Sequence, residues 1–142
     1  MQKLTLAAVV MVSFLTGLQS TAATHPSNEQ STLETAPRLE TLLTAVLEGV
    51  EGTEVIVSRV TIPPNTSLPK HWHPGEEFAY VLEGSVTLWQ KGKEDLVGKP
   101  GDVVKIPLKQ IHTAITSDEG ATVLVFRVHE QGQPERFPVE DD

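Results

Sequence analysis

Short runs rich in β-branched residues recur from residue 54 to residue 128, and glycine or proline closes nearly every one. The runs are 54–62 (EVIVSRVTI), 77–82 (EFAYVL), 85–90 (SVTLWQ), 102–106 (DVVKI), 112–116 (HTAIT) and 121–128 (ATVLVFRV). Between them stand Pro63-Pro64-Asn65, Glu83-Gly84, Lys91-Gly92, Pro100-Gly101 and Glu119-Gly120. Runs this short bury too little apolar surface alone, and the breakers are too frequent for helices of ordinary length. The pattern predicts an all-β domain, a sandwich or a barrel. Residues 39–47 are ambiguous. Apolar side chains at 39, 42, 43, 46 and 47 have helical spacing, whereas Thr41, Thr44 and Val46 suit a strand. Pattern alone favours a helix there.

The ends read differently. Residues 1–23 place Lys3 before an apolar run from Leu4 to Leu18 and finish in small side chains, the layout of a secretory signal peptide. The apolar run is shorter than the roughly 20 residues of a bilayer span, so cleavage is expected rather than anchoring. The mature protein is then exported, periplasmic or secreted, with no stable membrane insertion. Residues 24–37 are rich in Ser, Thr, Pro and Glu and are expected to form a flexible leader, with His25 a solvated tail residue. The domain is expected to span 38–130. Residues 131–142 are polar and hold two prolines, which predicts a loose tail with Phe137 as the residue able to tuck it onto the domain.

Among 142 residues there are 19 acidic and 11 basic side chains and no cysteine. The net charge of -8 excludes partners held by phosphate neutralisation, so no nucleic acid is expected. Without cysteine there are no disulfides, zinc–thiolate sites, iron–sulfur clusters or thiol nucleophiles. Any metal must be held by His, Asp or Glu.

Candidate ligands concentrate in two patches. His71-Trp72-His73 puts two imidazoles at i and i+2, which project to the same face of an extended strand. Pro74-Gly75 then turns the chain, and a strand beginning at Glu77 can return a carboxylate toward them. The second patch runs from Gly101 through Pro107 to His112, a strand, a turn and a third imidazole. Three neutral nitrogens and a carboxylate suit one divalent transition metal, Fe(II), Mn(II), Ni(II), Cu(II) or Zn(II). In a six-coordinate ion they leave two positions open.

These two patches resemble the paired motifs of the cupins, which fold as double-sheet jelly-roll barrels. In the first motif, His71, His73, Glu77 and Gly84 stand at the family's spacing; in the second, Gly101, Pro107 and His112 do. The resemblance spans about 54–128. It implies His71, His73, Glu77 and His112 as the metal ligands, and an N-terminal strand at 39–47 that packs on or crosses to a partner subunit in a homodimer. Three positions depart from the family pattern: Asn65 and Lys109 replace glycines, and Thr116 replaces an asparagine that faces the cavity. Lys109 therefore implies a different turn geometry or some strain.

Strand alternation places Ala79 and Val81 beside the metal, with Phe78 and Tyr80 on the opposite face, and adds Ala114 and Thr116 from the His112 strand. The expected pocket is mostly apolar, with one hydroxyl to orient a small-molecule ligand or substrate. Glu76 is expected at the surface, Trp72 in packing away from the metal or at a subunit interface, Arg59 in an outward salt bridge, and His129 at the surface. Two functions compete. One is a metal-dependent enzyme, dioxygenase- or lyase-like, acting on a small oxygenated compound; the other is a non-catalytic metal- or ligand-binding module of the cell envelope. A cupin scaffold without metal is a third. The sequence offers no general base beyond the ligands.

Overall fold

A computed structural model describes residues 36–140. The signal-peptide segment, most of the leader and His25 lie outside the described residues, as do 141 and 142. The described residues contain strands and turns and no helix. In chain order the strands are β1 (Arg38–Val46), β2 (Thr53–Ile62), β3 (His71–Trp72), β4 (Gly75–Gln90), β5 (Leu96–Gly98), β6 (Val103–Ile106), β7 (His112–Glu130) and β8 (Phe137–Pro138). One path of pairing runs β1-β2-β7-β3-β8, while β4 pairs with β5, β6 and β7. The result is a curled sheet, a half-barrel, as the punctuation predicts.

The helical spacing at 39–47 gives way to the strand that the resemblance implied. β1 pairs antiparallel with β2 from Arg38↔Thr61 to Val46↔Glu54, with a bulge between Thr41 and Leu43. The bulge shifts the alternation by one residue, so that Leu39 and Val46 share one face of the strand and Leu43 takes the other. Leu39, Leu42, Leu43 and Val46 are all exposed, because β1 is a sheet edge paired only with β2 among the described residues.

Two of the expected turns are not chain reversals. Runs 77–82 and 85–90 form the single strand β4, and runs 112–116 and 121–128 form the single strand β7. β4 and β7 pair antiparallel from Gly75↔His129 to Gly84↔Ala121, then again from Val86↔Thr116 to Gln90↔His112. Glu83-Gly84 and Glu119-Gly120 mark the place where both strands bend together. Gly84 (φ +72°) and Gly120 (φ +69°) sit in the left-handed region, and a Cβ on Gly84 would overlap the Gly120 carbonyl oxygen. Only hydrogen fits there.

Inside the curl, Ile62, Ala79, Val81, Val86, Ala121, Val123 and Val125 form the apolar core. The C-terminal segment is not the loose tail expected. Phe137 of β8 stacks on Trp72 at 4.1 Å between ring centroids and 8° between planes. β8 also extends the sheet beside β3 through Trp72↔Phe137 and His71↔Pro138. Burial of two aromatic faces outweighs the disorder that the prolines suggested.

Gly84→Ala should lower unfolding stability by at least about 3 kcal/mol, since it combines left-handed strain with backbone overlap. Gly92 has a similar φ of +78°, but a Cβ there would meet nothing within 4 Å. Gly92→Ala should therefore cost only about 1 kcal/mol. Equal urea midpoints for the two variants would remove the shared bend as a constraint.

Candidate metal centre

β3 is short, but its placement brings the imidazoles together. His71 pairs directly across the sheet with His112, the first residue of β7. His73 follows two residues later, on the same side. All three side chains are buried. Ring centroids are 4.5 Å apart for His71–His112, 4.8 Å for His71–His73 and 5.2 Å for His73–His112. One ring nitrogen from each lies within 4.8 Å of the others, a group that could hold a metal ion.

Each imidazole is oriented by its Nδ1. That atom of His71 meets the Pro69 carbonyl at 2.8 Å, and that of His112 meets the Gln110 carbonyl at 2.8 Å. Nδ1 of His73 meets the carbonyl of Glu135. A carbonyl only accepts, so all three rings donate through Nδ1–H and keep an Nε2 lone pair for the common centre. Backbone carbonyls fix metal-ligating histidines in this way.

Glu77 completes the cluster. Its Oε2 lies 3.0 Å from His73 Nε2 and its Oε1 3.9 Å from His112 Nε2. Arg127 Nε donates to Oε2 at 2.9 Å, while Arg127 Nη1 donates to Ser58 Oγ at 3.4 Å and Glu135 Oε2 at 3.1 Å. Burial alone would raise the Glu77 carboxyl, but the Arg127 guanidinium beside it holds it below the usual carboxylate range. Burial lowers His71 to about 4, and it lowers His112 as well. The donors that a metal needs, two neutral imidazoles and an ionised carboxylate, are therefore present at neutral pH. His73 Nε2 is buried without a hydrogen-bond partner. With Nδ1 donating, it presents a lone pair to a carboxylate oxygen 3.0 Å away. Two facing acceptors call for a positive charge between them, and a divalent ion fits that requirement.

A cavity of about 430 Å³ adjoins the cluster, with His71, Glu77, His112 and Arg127 in its lining. Ala79, Val81 and Ala114 line it, as alternation predicts. Leu39, Val97 and Val103 also line it and are exposed, so the cavity reaches the surface beside β1, β5 and β6. Thr116 does not line it. Its hydroxyl donates to the Pro63 carbonyl at 2.6 Å and accepts from the Thr66 amide at 3.1 Å, capped by the 63–66 backbone. The expected orienting hydroxyl is thus turned to structural use.

His129 is a second correction. It is 3% exposed, not at the surface, and its Nε2 lies 3.4 Å from Glu54 Oε1. Alternation from Val125 through Arg127 to His129 gives all three the inward parity, a signal the strand-end position obscured. Ser58 and Arg127 were missed for want of the same count, while nothing local marks Glu135. Other side chains sit as expected. Glu76 pairs with Lys105 at 2.5 Å and Arg59 with Glu40 at 3.3 Å, all four partly open to solvent, and Trp72 packs on Phe137. Asn65 (φ 51°) and Lys109 (φ 57°) occupy the left-handed region at the two positions where the family pattern has glycine. For Lys109 this is backbone strain on the order of 1 kcal/mol.

The curled sheet is a jelly-roll-like half-barrel carrying three convergent histidines that could hold a metal ion. Comparison with known proteins agrees: residues 58–127 match the family model of the cupin domain. Residues 58–127 form a cupin domain. No curated protein sequence matches it. Among solved structures, it resembles a cupin-like protein of Thermotoga maritima, with 24% identity, a TM-score of 0.59, and coverage of 74% of this chain and 77% of that one. It also resembles the DMSP lyase DddQ of Ruegeria pomeroyi, at 22% identity and a TM-score of 0.61, covering 74% of this chain but only 54% of the lyase. A third is the polyketide cyclase RemF of Streptomyces resistomycificus, at 23% identity, a TM-score of 0.50, and coverage of 70% and 81%. These likenesses establish the fold.

The ionisation states give a pH signature for the metal-stripped protein. As pH falls from 6.5 to about 4 the unfolded chain binds a proton that His71 refuses in the fold, and His112, also lowered by burial, acts in the same direction, so stability declines as pH falls. Glu77, ionised in the fold down to about 2, contributes stability above 4.5 that is lost between 4.5 and 2. Urea midpoints measured in chelator from pH 7.5 to 3 should decline through both windows. A flat profile from 7 to 5 would contradict burial of neutral imidazoles.

Proposed function

We propose that this chain is an exported metal-dependent cupin, with His71, His73, His112 and Glu77 holding one divalent transition metal for chemistry on a small oxygenated organic compound. The observation that carries this reading is the presentation of three buried Nε2 lone pairs and an ionised carboxylate beside an apolar cavity. When bound, the ion supplies Lewis acidity toward a carbonyl, phenolate or carboxylate oxygen. The chain's own residues do the rest. Ala79, Val81 and Ala114 exclude water and pack the apolar body of the ligand, and Arg127 holds the Glu77 carboxylate in place. Lyase- or dioxygenase-like turnover is the reaction class favoured. The fold is shared with a DMSP lyase and a polyketide cyclase, which supports a catalytic reading without assigning a substrate.

The test uses protein recovered from its export compartment. Mass spectrometry should show loss of the first 22 or 23 residues, and metal analysis should give about one equivalent of a transition metal per chain. His73→Ala should abolish stoichiometric metal; full retention by that variant would sink the ligand assignment. The loaded protein is then offered small carbonyl, phenolic and carboxylate compounds with and without oxygen. Ligand binding with no turnover across the panel would replace the enzyme by a metal- or small-ligand-binding module of the cell envelope.

We further propose a homodimer. Among the described residues β1 pairs only with β2, and it exposes Leu39, Leu42, Leu43 and Val46, an apolar strip that a second copy could cover symmetrically. Sedimentation at micromolar concentration should give a dimer, with Leu43→Lys shifting it toward monomer. A clean wild-type monomer would refute this pairing.

A further inference from the structure

The three imidazoles are not oriented in the same way. His71 and His112 each donate to a carbonyl two residues earlier in the chain, Pro69 and Gln110, so their ring planes are set locally. His73 donates to Glu135, 62 residues away. The Glu135 side chain reaches in the other direction, accepting from Arg127 Nη1 at 3.1 Å, and Arg127 Nε in turn holds Glu77 Oε2 at 2.9 Å. One residue outside the barrel strands therefore touches the supports of two candidate ligands, its carbonyl for His73 and its carboxylate for Glu77.

The segment that carries Glu135 is fixed to the strand that carries the histidines. β3 has a single paired residue on its β7 side, His71↔His112, and two on its β8 side. The Trp72–Phe137 stack and the Val139 amide, which donates to the Lys70 carbonyl at 2.9 Å, close the same contact. Much of what holds β3 in register thus comes from the C-terminal segment.

We propose that residues 131–139 form a strap that organises the metal centre, with Glu135 as its positioning residue. This rests on the reading that His71, His73, Glu77 and His112 bind a metal. Through the Glu135 carbonyl the strap fixes His73 as the Nδ1–H tautomer. Through the Glu135 carboxylate it braces Arg127, whose Nε holds Glu77 Oε2 in place beside His73 Nε2. Outer contacts of this kind typically alter metal affinity about 10- to 100-fold.

The experiment uses the full chain with Co²⁺ as probe. Glu135→Ala should weaken Co²⁺ binding by about 10- to 100-fold in equilibrium titration and change the visible absorption of the bound ion. Glu135→Gln should recover most of the affinity, because its amide oxygen still accepts from Arg127. A purely structural role would instead lower the urea midpoint of the metal-free protein and leave the Co²⁺ spectrum unchanged. Nitrogen chemical shifts of His73 in the metal-free wild type supply a readout independent of any variant's folding. They should report a single Nδ1–H tautomer, and a mixed or Nε2–H ring would overturn the proposal. Wild-type affinity and spectrum in Glu135→Ala would overturn it equally, leaving the metal reading intact. Failure of the wild type to bind any transition metal would overturn the metal reading itself.

Discussion

β4 and β7 are 16 and 19 residues long, and they pair with each other over both of their halves. Glu77 belongs to one end of this ladder, opposite Arg127, and His112 to the other, opposite Gln90. In a straight ladder these ends would lie about 40 Å apart at the usual rise per residue. They are in contact range instead, with Glu77 Oε1 3.9 Å from His112 Nε2. The ladder is folded over on itself, and the fold line is the close approach of Gly84 to Gly120. The cavity is what the fold encloses, and the candidate metal centre sits where the two ends meet. β3 bridges the meeting point, its His71 pairing with the start of β7 while His73, just beyond the strand, reaches Glu77.

A small apolar barrel gains nothing from burying charge unless the charge is compensated. Here one arginine faces two carboxylates, Glu77 and Glu135, and the imidazoles at His71 and His112 are pushed toward neutrality by burial. One positive against two negatives leaves an excess negative charge beside three lone pairs. Desolvating such a cluster is costly on its own, and removing one partner from a buried pair typically costs about 3–5 kcal/mol. A divalent cation would reverse the local sign, consistent with a site whose polar groups are arranged for an ion rather than for packing.

Much of this was legible in the sequence, for identifiable reasons. His71, His73, Glu77 and His112 stood out because ligand chemistry restricts residue type and strand periodicity restricts spacing. Ala79, Val81 and Ala114 followed from alternation on uninterrupted strands. Alternation also assigned Thr116 the correct face, but it could not show that the 63–66 backbone closes over that end and takes the hydroxyl. Gly84 and Gly120 were read as turns because a glycine breaker looks the same in one dimension whether the chain reverses or two strands bend in concert. The apolar residues at 39, 42, 43 and 46 all lie exposed on an edge strand, so they follow no single buried face that a period could reveal. Glu135 carried no signal at all, since its contact with His73 spans 62 residues and is made by its backbone.

Burial and function converge on the same groups. The desolvation that lowers His71 to about 4 removes proton competition for its Nε2 at neutral pH, so a ligand of this kind remains available to a metal well into the acid range. The Arg127 charge keeps Glu77 ionised in surroundings that would otherwise protonate it. Each shift has a destabilising side in the metal-free fold: His71 and His112 resist protonation that the unfolded chain accepts. That penalty is confined to the window below pH 6.5, and any ion that binds the folded state alone would offset it by mass action. An ion bound there would therefore couple stability to occupancy of the site through the imidazoles' own burial.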